Sequence, residues 1–125
     1  MPVGSNTGVT ALVQGEQFNQ IHDALEPLGI GVIRVERVKQ AVEAAPRVVV
    51  CEADSSGSWR RIIRQILEAR PEARVVLLSR VADERMWVEA LSAGAHDLLS
   101  QPCSVQELCG TVLGALGLHH CSLAA

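Results

Sequence analysis

This sequence predicts an α/β domain in which a parallel five-stranded sheet is covered by helices on both faces. Three observations carry the prediction. Short, continuously apolar runs such as VTALV, RVVVC and RVVLLS recur along the chain, with the length and β-branched content of strands buried on both faces. Segments with apolar residues three and four apart alternate with them, as in amphipathic helices. The apolar fraction of 48% is carried by Ala, Val and Leu, with two Trp, one Phe and no Tyr, which suits a helix-covered sheet better than a β-sandwich.

The elements follow in order. VTALV (Val9 to Val13) reads as the first strand, and Glu16 to Leu28, with Phe18, Ile21, Ala24, Leu25 and Leu28 on one stripe, as the first helix, stopped by Gly29. GVIRV (Gly31 to Val35) is the second strand, Val38 to Ala45 a short helix ended by Pro46, and RVVVC (Arg47 to Cys51) the third strand. Ser58 is placed to cap a third helix carrying Trp59, Ile62, Ile63, Ile66 and Leu67, which Pro71 ends. RVVLLS (Arg74 to Ser79) is the fourth strand, Asp83 to Ala93 the fourth helix with Gly94 as its stop, and HDLLS (His96 to Ser100) the fifth strand. Gln101-Pro102 turns the chain. Ser104 and Glu107 form a capping box for a last helix bearing Val105, Leu108, Val112, Leu113 and Leu116.

At 125 residues this is one domain, with a flexible start over 1–8, the body over 9–116 and a tail over 117–125. Right-handed crossovers and this size predict a doubly wound (βα)5 sheet of flavodoxin-like order, 2-1-3-4-5. The C-terminal strand ends then gather at one edge. Chemistry in open α/β sheets sits there, so any site is expected among Gln14, Gly15, Glu52, Ser79, Arg80 and Gln101.

The formal net charge of −3, with acids and bases interspersed, gives no footprint for nucleic acid. The start, MPVGSNTG, is no signal peptide, and no run approaches the ~18 apolar residues of a membrane span. A cytoplasmic location follows as the expectation. The four cysteines lack zinc or redox spacing, and the consecutive His119, His120 and Cys121 do not converge on one ion, so no metal or cofactor is expected.

ALSAGAHDLLSQP (Ala90 to Pro102) resembles the A-x-x-A-G-A-x-D-Y-L-x-K-P segment of response-regulator receiver domains. VVLLS ends on the hydroxyl residue that family carries after its fourth strand, and APRVVVCE has the pattern that normally finishes in its phosphorylated aspartate. The resemblance runs from Val9 to Leu116. It implies a signalling module of two-component phosphorelays, in which an aspartate takes a phosphoryl group, two acids hold Mg²⁺, and a hydroxyl and a lysine contact the phosphoryl oxygens.

Aligned with that pattern, the aspartate position falls on Glu52, the metal-binding pair on Gln14 and Gly15, and the lysine on Gln101. Only Ser79 fits. The single lysine, Lys39, lies in the second helix, away from the strand ends. Phosphoryl transfer needs positive charge to neutralise the transferring oxygens, and Mg²⁺ wants carboxylate oxygens. An atypical receiver without phosphoryl chemistry or enzyme activity is therefore the expectation.

Glu52 has three readings: a relic, a longer carboxylate reaching where a phosphoryl oxygen would lie, or an unusual acceptor. Asp54 is the rival acceptor, and its default is a loop acid. Arg80, where the family usually has a small residue, is either an ion-pair partner for Glu52 or a solvated side chain. Arg60, Arg61 and Arg64 read as a solvated basic ridge.

On the fourth helix, Met86, Trp87, Val88, Ala90, Leu91 and Ala93 make an apolar arc wider than the ~100° stripe one packing face needs. With Leu98 of the fifth strand, Met86, Trp87 and Leu91 are expected to form a contact face for a protein partner or a second copy, through the fourth helix, fifth strand and fifth helix. Trp87 is its expected anchor; the bland reading is a Trp lying flat on its own domain. The leading expectation is thus a phosphorylation-independent interaction module. Its rivals are an unusual phosphoacceptor using Glu52 or Asp54, and a pseudo-receiver part of a larger assembly such as an ATPase-linked pilus protein.

Overall fold

A computed structural model describes residues 8–54 and 57–117. Five parallel strands, β1 (Val9–Leu12), β2 (Val32–Val35), β3 (Val48–Glu52), β4 (Arg74–Ser79) and β5 (Asp97–Ser100), form one sheet in the order β2-β1-β3-β4-β5. Five α-helices connect and cover them: α1 (Gly15–Leu25), α2 (Val38–Glu43), α3 (Trp59–Ala69), α4 (Glu84–Ala93) and α5 (Val105–Leu116). This is the doubly wound flavodoxin-like order. The expected flexible start, and the tail with His119, His120 and Cys121, lie outside the described residues apart from Gly8 and Gly117.

Successive strand residues point to opposite faces, so a continuously apolar strand feeds two cores at once. Val9, Ala11, Val48, Val50, Val76, Leu78 and Leu99 pack with Ile21, Ala24 and Leu25 of α1 and Leu108, Val112, Ala115 and Leu116 of α5. On the other face Val49, Cys51, Val75, Leu77 and Leu98 meet Trp59, Ile63 and Ile66 of α3 and Ala90 of α4, with Val38 of α2 at the margin. The edge strand β2 departs from a fully buried run: Ile33 and Arg34 are exposed, since only one neighbour covers it.

Several boundaries shift for identifiable reasons. The first helix leaves α geometry at Leu25, and Glu26–Leu28 continue as a 3₁₀ turn, because Pro27 has no N–H to donate back. Ser58 makes no side-chain cap hydrogen bond; its φ of −66° and ψ of −15° already belong to the helical region. Asp83 is the cap of α4 rather than its first residue, accepting from Met86 N at 2.9 Å. The Ser104–Glu107 capping box is present, with both bonds near 3 Å (Ser104 N to Glu107 Oε1, 2.9 Å; Glu107 N to Ser104 Oγ, 3.0 Å).

Gly94 ends α4 at φ +109°, where a Cβ would lie 2.6 Å from Leu67 Cδ1. The left-handed φ is what favours glycine at this α4 stop, and the end of the Leu67 side chain fills the space beside it.

Candidate functional site

β3 extends one residue further than its apolar run. Glu52 is its last ladder residue, in register with Leu78, and Ala53 N continues the pairing to Leu78 O at 2.8 Å. The base of the Glu52 side chain is therefore held by the sheet. Its carboxylate Oε1 accepts from Gln14 N at 3.2 Å, and Gln14, at φ −69° and ψ 159°, is the residue that caps α1. A carboxylate at a helix N-terminus is favoured by the unpaired N–H groups and the helix dipole.

The other strand ends meet around this bond. Ser79 is 4% exposed; its hydroxyl donates to Val81 O at 2.6 Å and accepts from Val81 N at 3.1 Å. The one site residue that fits the phosphoryl-contacting pattern is thus engaged by its own loop. Gln101 N donates to Ser79 O at 2.8 Å, carrying the β4–β5 pairing one step beyond the strands.

Two cavities flank Glu52. One, about 530 Å³, is lined by Gln14, Glu52, Ala53, Asp54, Ser79, Arg80 and Gln101, with Trp59, Val81 and Met86 as an apolar wall. The other, about 500 Å³, lies toward β2 between Gln14, Arg34, Glu36, Val38, Glu52, Asp54 and Ile62. The fold brings Gln14, Glu52, Ser79, Arg80, Gln101 and Asp54 to one opening. Gly15, at the start of α1, lines neither cavity.

No ion pair joins Glu52 and Arg80 among the described residues, so of the two readings of Arg80 the structure has the solvated side chain. The backbone N–H of Gln14, fixed beside Glu52 by parallel pairing of β1 and β3, takes the carboxylate instead. Arg80 stands exposed at the cavity rim.

Mg²⁺ fits this donor set poorly. It demands near-octahedral oxygen ligation anchored on carboxylates, whereas an amide, a glycine and one carboxylate already bonded to an N–H occupy the corresponding positions. Among the described residues no group of three or more His, Cys, Asp or Glu is assembled to hold a metal ion.

The contact-face expectation divides. Trp87 is 37% exposed, Val88 and Leu91 are exposed on the same helix, and Val81 is exposed in the loop before it. Leu98 is only 4% exposed and packs in the core under α3 and α4, so it cannot be a contact residue. β5 turns Leu98 inward because the adjacent residue, Leu99, serves the opposite core. Met86 is half-buried, on one stripe with Ala90 and Ala93, and lines the larger cavity.

Two relationships were not legible in the sequence. Arg60 lies over the Trp59 ring, 4.6 Å from its centroid, and pairs with Glu89 of α4, which Arg85 also approaches at 3.4 Å. The basic ridge is therefore partly spent on joining α3 to α4. Trp59 and Met86 come together as one wall, although their i, i+4 and i, i+7 spacings give only their own helix faces. Next to Glu52, Cys51 is buried; desolvation first, and the Glu52 carboxylate second, push its thiol up to about 12.

No family model and no curated protein matches the sequence. Solved structures do. A response regulator from Thermotoga maritima is similar with TM-score 0.80 at 23% identity, over 87% of this chain and 96% of that one. The BeF3-activated receiver domain of DrrB, also a Thermotoga maritima protein, gives TM-score 0.74 at 26% identity over 88% and 97%. A pilus assembly-related protein from Burkholderia pseudomallei gives 0.73 at 14% over 94% and 95%. With its strand order and its coverage of whole receiver domains, the chain has the receiver-domain fold of the two-component response regulators.

Proposed function

We propose that this chain is an atypical receiver module that signals through protein contacts without being phosphorylated, and that it catalyses no reaction of its own. The observation that carries this reading is the Glu52 to Gln14 hydrogen bond. One oxygen of the acid at the receiver's acceptor position is held by the neighbouring backbone, and the sequence has no lysine at position 101 and no acid pair at positions 14 and 15. The Ser79 hydroxyl, closed on Val81, supports it.

The exposed part of α4, Trp87 with Val88 and Leu91, is the surface we assign to a protein partner or a second copy. Among the described residues no helix is long and apolar enough to cross a membrane, in keeping with a module that works in the cytoplasm.

Incubation with acetyl phosphate and Mg²⁺, read by intact mass, tests the reading. No phosphoryl adduct is expected. An adduct lost in Glu52→Gln or in Asp54→Asn would overturn it and establish the phosphoacceptor alternative. A second reading rests on the pilus assembly-related neighbour: the same contact module as the receiver-like part of a larger pilus-assembly protein.

A further inference from the structure

The larger cavity presents an unusual set of groups for a site without phosphoryl chemistry. Trp59, Val81 and Met86 give it an apolar wall, while Glu52 and Arg80, of opposite sign, face the same space without pairing. Glu52 uses only Oε1, on Gln14 N. Among the described residues neither Arg80 nor the Gln101 side-chain amide has a hydrogen-bond partner. The volume, about 530 Å³, is in the range of small-molecule sites, roughly 300–1,000 Å³.

The complement of such a space follows from its charges. A simple anion would meet the Glu52 and Asp54 carboxylates, and a simple amine would leave the guanidinium facing apolar ligand surface; a charge that loses water without gaining a partner is costly. A molecule with an ammonium, a carboxylate and an apolar body satisfies all of them. We propose that this cavity binds an apolar α-amino acid, with its ammonium on the open oxygen of Glu52, its carboxylate on Arg80 and Gln101, and its side chain against Trp59, Val81 and Met86. The inference rests on the reading above only in taking Glu52 as an unmodified carboxylate.

Calorimetric titration of the full chain tests it, with L-phenylalanine and L-leucine as probes and phenylpropanoate and phenethylamine as analogues carrying one charge each. The amino acids are expected to bind, each analogue at least about tenfold more weakly than phenylalanine. Glu52→Gln keeps an acceptor for Gln14 N–H, and Arg80→Gln alters an exposed side chain; both are expected to stay folded by circular dichroism and to lose affinity at least about tenfold. Absence of binding by both amino acids, binding of either analogue as tight as phenylalanine, or unchanged affinity in both folded variants would each overturn the proposal. The phosphoryl mass assay is separate. An adduct there with amino-acid binding intact would refute only the phosphorylation-independent reading.

Discussion

The Glu52 carboxylate accepts the backbone N–H of Gln14 at 3.2 Å, tying the end of β3 to the start of α1. Such a bond to a charged acceptor is worth about 1–2 kcal/mol. Glu52→Ala is therefore expected to lose about 1 kcal/mol in urea unfolding, and Glu52→Gln, which retains an acceptor, less than that. An alanine variant as stable as the parent would show that the bond contributes nothing.

If the chemistry is missing only for want of donors, it is restorable. Gly15 has open space around a built Cβ, so an acid is accommodated there. The combined variant Gln14→Asp, Gly15→Asp, Glu52→Asp, Gln101→Lys is expected to bind Mg²⁺, quenching or enhancing Trp59 fluorescence in a saturable way, where the parent does not respond. A flat titration of the folded variant would mean that the backbone, as well as the side chains, has left the metal-binding geometry.

Trp87 is expected to matter for association rather than folding. Ala90, not Trp87, is the fully buried residue of α4. Trp87→Ala should keep the two-state unfolding transition and weaken self-association or partner capture by tenfold or more, about 1.4 kcal/mol. Sedimentation of both proteins over a concentration series is the check for self-association, and unchanged behaviour in both assays would remove α4 from the interface.

Two glycines give opposite expectations. Gly94→Ala places a Cβ against Leu67 at a backbone φ of +109° and should cost about 2 kcal/mol or more. Gly110, within α5 and with nothing within 4 Å of a built Cβ, should gain about 0.4–1 kcal/mol as alanine. Thermal melts of the pair distinguish steric strain from helix propensity.

Cys51 makes stability sensitive to alkali. Its thiol is pushed from 9.0 to about 12 by burial and by Glu52, so the unfolded chain gives up this proton first. The associated stability is complete below pH about 9 and is lost as pH rises toward about 12. Cys51→Ala should flatten the decline of urea midpoints in that window. Burial also raises Cys103 and Cys109, so the slope shrinks without vanishing.

How much of this was readable before any coordinates varies with the range of the interaction. Helix and strand alternation, the capping box and the stripe of Trp59, Ile63 and Ile66 depend on residues a few positions apart, and all of these are present. The convergence of Gln14, Glu52, Ser79 and Gln101 also follows from strand order alone, because parallel strands present their C-terminal ends at one edge.

Other features depend on neighbours distant in the chain. Leu98 and Met86 face inward and Ile33 outward because of what covers each element, which their own spacing does not encode. Ser58 sits where a cap is expected, yet its backbone has already entered the helical region.

By itself the sequence determined the architecture and the residue types at the C-terminal strand ends, since both are written in local periodicity and in position along the strands. Only the tertiary structure decided what those residues touch. Glu52 bonds Gln14 rather than Arg80, and Arg60 joins Glu89, because long side chains end where other elements offer a donor, an acceptor or an opposite charge.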